Sequence, residues 1–136
     1  MFKLLESFEK REILLMQPLS LAFVGDAVHT LYVRRYILKE KASTPKNLHK
    51  LSSNFCCASA QAKALDLITE DLLVEEKELI RRTRNTKNHN APKNSDEAEY
   101  KKATCFEALV GYLFLSGEIE RLEMLLDKIF DNEGKE

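Results

Sequence analysis

Leu19-Ser-Leu-Ala-Phe-Val-Gly-Asp-Ala-Val28 is an almost unbroken apolar run with one acid, Asp26, inside it. Pro18 directly precedes it, and a proline suits the first turn of a helix, where its missing N–H has no partner to lose. The run predicts a long helix from Pro18 to about Lys39, apolar enough to be central. A second stretch has the same character. In Ala103-Thr-Cys-Phe-Glu-Ala-Leu-Val-Gly-Tyr-Leu-Phe-Leu115, apolar and small residues surround Glu107. Acids are seldom buried unless paired or bound to metal, because taking an ion out of water is costly. Two acids so placed point to a site for a hard cation.

The remaining pattern is helical as well. Leu4, Leu5, Phe8, Ile13 and Leu14 predict a first helix over about 3–15. Thr44 can cap and Pro45 can open a third helix, to about Leu67. A fourth begins at Thr69 or Glu70 and ends near Arg84. Residues 85–94 are polar, include Pro92, and read as a loop. Asn94 or Ser95 then caps a fifth helix to about Leu115. Gly117 punctuates it, and a short amphipathic helix follows to about Phe130. The tail, 131–136, is expected to fray. Four glycines and three prolines are few for a turn-rich β fold, and no sustained period-2 alternation is present. The expected class is all-α, one domain over residues 1–136.

The composition, 44% hydrophobic and 32% charged, is that of a soluble globular protein. No apolar run reaches the roughly 18 residues a membrane span needs. The N-terminus carries acids and lacks a signal-peptide core, so a cytoplasmic protein is expected. Cys56, Cys57 and Cys105 form no C-x-x-C pair, and their odd number makes a poor disulfide framework; reduced core thiols are expected. The net charge is −1, but its distribution is uneven. Arg81, Arg82, Arg84, Lys87 and Lys93 fall within residues 81–95 without any acid, and residues 33–50 carry six Lys and Arg against Glu40 alone. A basic face on a near-neutral chain suits a polyanion.

On a helix, Asp26 has Ala22 and Phe23 one turn before it and His29 and Thr30 one turn after. Glu107 has Ala103 and Thr104 before it and Val110 and Gly111 after. Neither acid has a basic partner at these spacings. The small residues Ala22, Ala103 and Gly111 allow helices or a ligand to come close. If the two helices pack, the carboxylates face one another, mutual repulsion raises one pKa, and Mg²⁺ or Mn²⁺ relieves it. Local sequence leaves a second reading open, in which each acid bonds a neighbouring helix end or a basic side chain.

Leu21-Ala-Phe-Val-Gly-Asp-Ala-Val28 resembles the signature helix of the ribonuclease III catalytic domain, and Thr104-Cys-Phe-Glu-Ala-Leu-Val-Gly111 resembles its second acidic motif. Arg81-Arg-Thr-Arg-Asn-Thr-Lys87, then Pro92-Lys-Asn94 and Tyr100, resemble the Mini-III branch, whose members lack an appended double-stranded-RNA-binding domain. The resemblance runs from about Gln17 to Phe130. It implies a ribonuclease III-like helical bundle acting as a homodimer, with Asp26 and Glu107 as catalytic metal ligands. It also implies that Phe23 inserts into the partner subunit. Two further family acids are absent: Ala22 stands four residues before Asp26, and Thr104 three before Glu107. Mini-III enzymes share that reduction, which leaves water and phosphate oxygens to complete the coordination.

The implied function is Mg²⁺-dependent cleavage of double-stranded RNA, leaving 5′-phosphate and 3′-hydroxyl ends. In the Mini-III branch this is associated with maturation of precursor 23S ribosomal RNA, with a ribosomal protein as a further candidate partner. Arg81, Arg82, Arg84, Asn85, Lys87 and Lys93 are the expected RNA-binding residues, since duplex RNA is read through phosphates, shape and 2′-hydroxyls. His29 is a secondary candidate for ligand or proton shuttle, disfavoured because Mg²⁺ prefers oxygen. Tyr100, Tyr112 and Phe114 read as packing residues. The rival is a non-catalytic helical RNA-binding or ribosome-assembly module, motivated by the two missing acids; a protein-interaction adaptor is a third class.

Overall fold

A computed structural model describes residues 3–41, 44–86 and 96–133. Every regular element among them is helical: α1 (Lys10–Leu14), α2 (Pro18–Glu40), α3 (Pro45–Cys56), α4 (Ala58–Ile68), a 3-10 turn (Thr69–Asp71), α5 (Val74–Arg84), α6 (Glu97–Leu115) and α7 (Ile119–Glu133). The all-α expectation holds, and no helix among the described residues is long and apolar enough to cross a membrane.

The central helix is α6, not α2. Residues 103–106 and 108–113 are buried in succession, because α2, α4, α5 and α7 all pack on α6. A helix buried all round belongs at the middle of a bundle. Helix α2 instead buries one stripe, Leu21, Ala22, Gly25, His29, Val33 and Ile37. Its other side exposes Phe23, Leu31 and Leu38. Apolar content alone could not tell a helix buried on all sides from one with an uncovered apolar face.

Several boundaries depart from expectation. The first helix is only Lys10–Leu14. Leu4, Leu5 and Leu14 are exposed, and the preceding segment is held by Phe8 N–H donating to the Leu115 carbonyl at 2.8 Å. The third helix is two helices, broken at an extended Cys57 (φ −70°, ψ 160°) that no glycine or proline announces. Packing makes the break. Phe55 of α3 stacks on Phe130 at 5.3 Å and meets Tyr36 at 5.8 Å. Helix α4 turns its buried face, including Ala64, Leu65 and Ile68, to α6. One straight rod cannot serve both directions. The fourth helix begins at Val74, after the 3-10 turn.

Glu76 sets that last start. Its Oε1 accepts the Leu73 N–H at 2.9 Å, satisfying a donor that a helix N-terminus leaves free. Arg121 of α7 donates to both carboxylate oxygens, at 2.6 and 2.7 Å, and to the Asp71 carbonyl at 2.7 Å. Glu76 is 1% exposed and is the buried acid among the described residues. Arg121→Met should cost about 3 kcal/mol by urea unfolding, since removing one partner strands a buried charge. A loss under about 0.5 kcal/mol, the scatter of ordinary surface changes, would show the pair to be inessential.

Asp96 caps α6, its carboxylate accepting from the Ala98 and Glu99 N–H groups at 2.9 and 3.3 Å. The expected caps, Asn94 and Ser95, lie outside the described residues. Gly117 ends α6 with φ +79°, where a residue without Cβ is favoured. Helix α7 continues past Phe130 to Glu133, longer than expected, and buries Leu122, Leu125, Leu126, Ile129 and Phe130. Residues 134–136 lie outside the description.

Candidate active site

Two glycines bring the acids together. A Cβ on Gly25 would lie 1.7 Å from the Glu107 carbonyl oxygen, and one on Gly111 would lie 1.9 Å from that of Leu21. Helices α2 and α6 therefore cross backbone to backbone, in opposite senses, with Gly25 against Glu107 and Gly111 against Leu21. Only an absent side chain permits this approach. Asp26 follows Gly25 directly, so the crossing delivers its carboxylate to that of Glu107, close enough to raise that group's pKa.

The acids differ in environment. Asp26 is exposed and Glu107 is half-buried, so the expectation that both are buried is corrected. Apolar neighbours along a helix do not bury a residue on the helix's open side. The Glu107 carboxyl is pushed up from 4.5 to about 8. Burial is the main cause; the hydrogen bond and charge of Asp26 add to it, and a hydrogen bond from Gln61 opposes it. Two acids sharing one place resist double ionisation.

His29 is buried, with its ring edge-on to Phe106 at 5.0 Å and 89°. Its Nδ1 lies 3.3 Å from Nε2 of Gln61. Burial lowers its pKa from 6.5 to about 4, against the charge of Asp26, so the ring is neutral at pH 7. His29 is thus a core residue with a polar partner.

These shifts predict a pH effect in metal-free solution. The folded state holds the Glu107 proton more tightly than the unfolded chain. That contribution is complete below about 4.5 and is lost as pH rises through about 8. His29 works in the opposite direction as pH falls from 6.5 towards 4. Above 6.5 the histidine is mostly neutral in both states, and the decline belongs to Glu107. The melting temperature in EDTA should therefore fall between about pH 6.5 and 8, and Glu107→Gln should flatten the slope. An unchanged slope in that variant would refute the raised pKa of Glu107.

The positions of the family's further acids are filled without charge. Ala22 and Thr104 are both buried, and Thr104 Oγ1 donates to the Tyr100 carbonyl on its own helix at 3.0 Å. Among the described residues, no three His, Cys, Asp or Glu side chains converge as a metal cluster. The site holds two carboxylates.

The basic residues divide. Arg84 and Asn85 are exposed at the end of α5. The charge of Arg84 acts on the buried Cys105 thiol, so this end of α5 packs on α6; Cys105 and Glu107 lie on different faces of that helix. Arg81 is exposed and paired with Glu78 at 2.6 Å, a surface contact that a phosphate could displace at little cost. Arg82 is half-buried, and its Nη2 lies 3.5 Å from the Met16 carbonyl. Lys87 and Lys93 lie outside the described residues. Phe23 is 81% exposed on the open side of α2. Of the thiols, Cys105 is buried, Cys56 half-buried and Cys57 exposed at the α3–α4 break; the core reading fails for Cys57.

Sequence reasoning missed Gly25, Gln61 and Glu76. A signal for the first existed: of only four glycines, one precedes Asp26 and another follows Glu107 by one helical turn.

Residues 19–118 match the Ribonuclease III domain family. The chain is 43% identical over 122 residues to a Mini-ribonuclease 3 of a Thermoanaerobacter species, covering 90% of this chain and 86% of that one. It is 39% identical over 127 residues to the Mini-ribonuclease 3 of Staphylococcus aureus, covering 92% and 95%. The fold is similar to a crystal structure of a Fusobacterium nucleatum protein, with a TM-score of 0.76 and 30% identity, covering 85% of this chain and 93% of that one.

Proposed function

The chain belongs to the ribonuclease III family and is an endoribonuclease of its Mini-III branch; from that premise we propose that Asp26 and Glu107 together hold the divalent cation with which it hydrolyses double-stranded RNA. The apposition of the two carboxylates at the Gly25–Gly111 crossing carries this reading. Paired carboxylate oxygens are hard donors and fit Mg²⁺, or Mn²⁺, with water and phosphate oxygens filling the other positions. When bound, such an ion supplies an activated water and offsets charge developing on the phosphoryl group.

The chain's own residues do the rest. Asp26, on the exposed side of α2, and Glu107, anchored in the central helix, supply two negative charges at one point. Without a cation the pair retains a proton near neutral pH, and the remaining charge repels an RNA phosphate. The end of α5 supplies the opposite sign: Arg81, Arg84 and Asn85, continued by Lys87 and Lys93, grip the duplex backbone. Binding should weaken with salt as these contacts displace counterions. Arg82, half-buried beside them, adds a further positive charge to that helix end.

The working unit is a homodimer. Phe23 and Leu31 are exposed on one helix. Leu31, with Leu4, Val28, Phe114 and Leu122, lines an apolar groove of about 300 Å³ that a second copy could cover. The substrate is the duplex formed within precursor 23S ribosomal RNA, in the cytoplasm, with a ribosomal protein able to present it.

A long RNA duplex incubated with Mg²⁺ or with EDTA tests the reading. Mg²⁺-dependent cutting to 5′-phosphate and 3′-hydroxyl ends is expected. Binding without Mg²⁺-dependent cutting would favour a non-catalytic RNA-binding module instead.

A further inference from the structure

Gln61 joins the site from a third helix. It lies on α4, is 4% exposed, and its amide nitrogen carries two hydrogens. Nε2 lies 3.3 Å from His29 Nδ1, and the same side chain lies beside the Glu107 carboxylate, where its amide favours the charged form. His29 is itself held, buried on α2 with its ring against Phe106. A neutral imidazole has one nitrogen free to accept. The three side chains thus form a line: ring nitrogen, amide, carboxylate. Helices α2, α4 and α6 each contribute one member.

We propose that Gln61 is a positioning residue, whose buried amide, anchored on His29, holds the Glu107 carboxylate in the orientation that receives the divalent cation. The inference rests on the metal site proposed above. The amide suits the task because it carries no charge. A lysine or arginine here would neutralise Glu107 and weaken cation binding; a third acid would add repulsion in a half-buried place. An amide fixes direction and leaves both negative charges for the metal. Partners of this kind, behind the direct ligands, commonly change metal affinity or activity by about 10- to 100-fold when removed.

Gln61→Met keeps the length of the side chain and removes its polar contacts to His29 and Glu107. Three measurements are made on the purified full chain: the rise of melting temperature with Mg²⁺, duplex-RNA affinity in EDTA, and cleavage rate against Mg²⁺ concentration. The variant should need about 10- to 100-fold more Mg²⁺ for the same rise and the same half-maximal cleavage, while RNA affinity in EDTA stays within about twofold. If its melting temperature falls but its Mg²⁺ requirement equals that of the wild type, Gln61 is only a packing residue and the proposal fails. A wild type whose melting and cleavage ignore Mg²⁺ sinks the metal site itself, and this inference with it. Should the variant not fold, ¹⁵N NMR of the wild type decides: the Gln61 side-chain NH₂ signals should shift on Mg²⁺ addition, and signals that stay fixed overturn the proposal.

Discussion

Asp26→Asn should reduce cleavage of duplex RNA by about a thousandfold or more at saturating Mg²⁺. The substitution is close to isosteric and falls on an exposed position, so the fold has little reason to change. It removes one of two negative charges at the site, and metal-borne stabilisation of a phosphoryl transition state is worth several kcal/mol. A loss of about 4 kcal/mol corresponds to about 10³ in rate. The same change should make the metal-free protein more stable. Asp26 helps hold the Glu107 carboxyl up at about 8; an amide can donate to that carboxylate instead and lower its pKa. The expected pattern is lost activity, retained RNA binding in EDTA, and a raised melting temperature at pH 8 in the same buffer. Cleavage at the wild-type rate with ample Mg²⁺ would refute the role of Asp26.

Gly25→Ala should be severely destabilising. The new methyl would meet the Glu107 carbonyl oxygen at 1.7 Å, its carbon at 2.6 Å and the Gly111 nitrogen at 2.8 Å. All three are backbone atoms, which cannot rotate aside. In an exposed helix, alanine would gain about 1 kcal/mol over glycine. Overpacking a core costs about 1–3 kcal/mol even where side chains can adjust. Here α2 must move away from α6, so the penalty exceeds the gain, and a net loss of about 3 kcal/mol or more is expected. That is a large share of a total stability of about 5–15 kcal/mol. The parting helices also carry Asp26 away from Glu107. Cleavage per folded molecule should fall as well, which a change in stability alone would not produce. Denaturant unfolding showing equal or higher stability would contradict the close crossing.

Much of the architecture was legible along the chain. Pro18 and Pro45 open α2 and α3 where their chemistry predicts, and Gly117 closes α6. Local backbone preferences act at helix ends, and these ends carry them. The break at Cys57 was not legible, because it answers to Phe130 and α6 rather than to its own neighbours. The central place of α6 was hidden for the same reason: α2 is similarly apolar, yet one of its sides faces outward.

The acids teach a related lesson. Scarcity of charge around Asp26 and Glu107 marked them as unusual, but only Glu107 is partly buried; Asp26 is exposed. The deeply buried acid is Glu76, which sits among other acids in sequence and binds Arg121 from 45 residues away. Its role is to start a helix and tie α7 down. Nothing within a few residues of Glu76 forecasts that partner. Gln61 was invisible likewise, since an amide on an otherwise ordinary helix becomes informative only when His29 and Glu107 arrive beside it.

The order of residues alone determined that this chain would be helical, where most helices begin or end, and which two carboxylates stand apart from the other charges. Those properties depend on backbone preferences and on neighbours within a turn or two. Folding in three dimensions decided which helix became the axis, how closely two glycines let α2 and α6 approach, and which amide turned toward Glu107. Such distances arise between segments remote along the chain, where packing and the exclusion of water, not local preference, set the geometry.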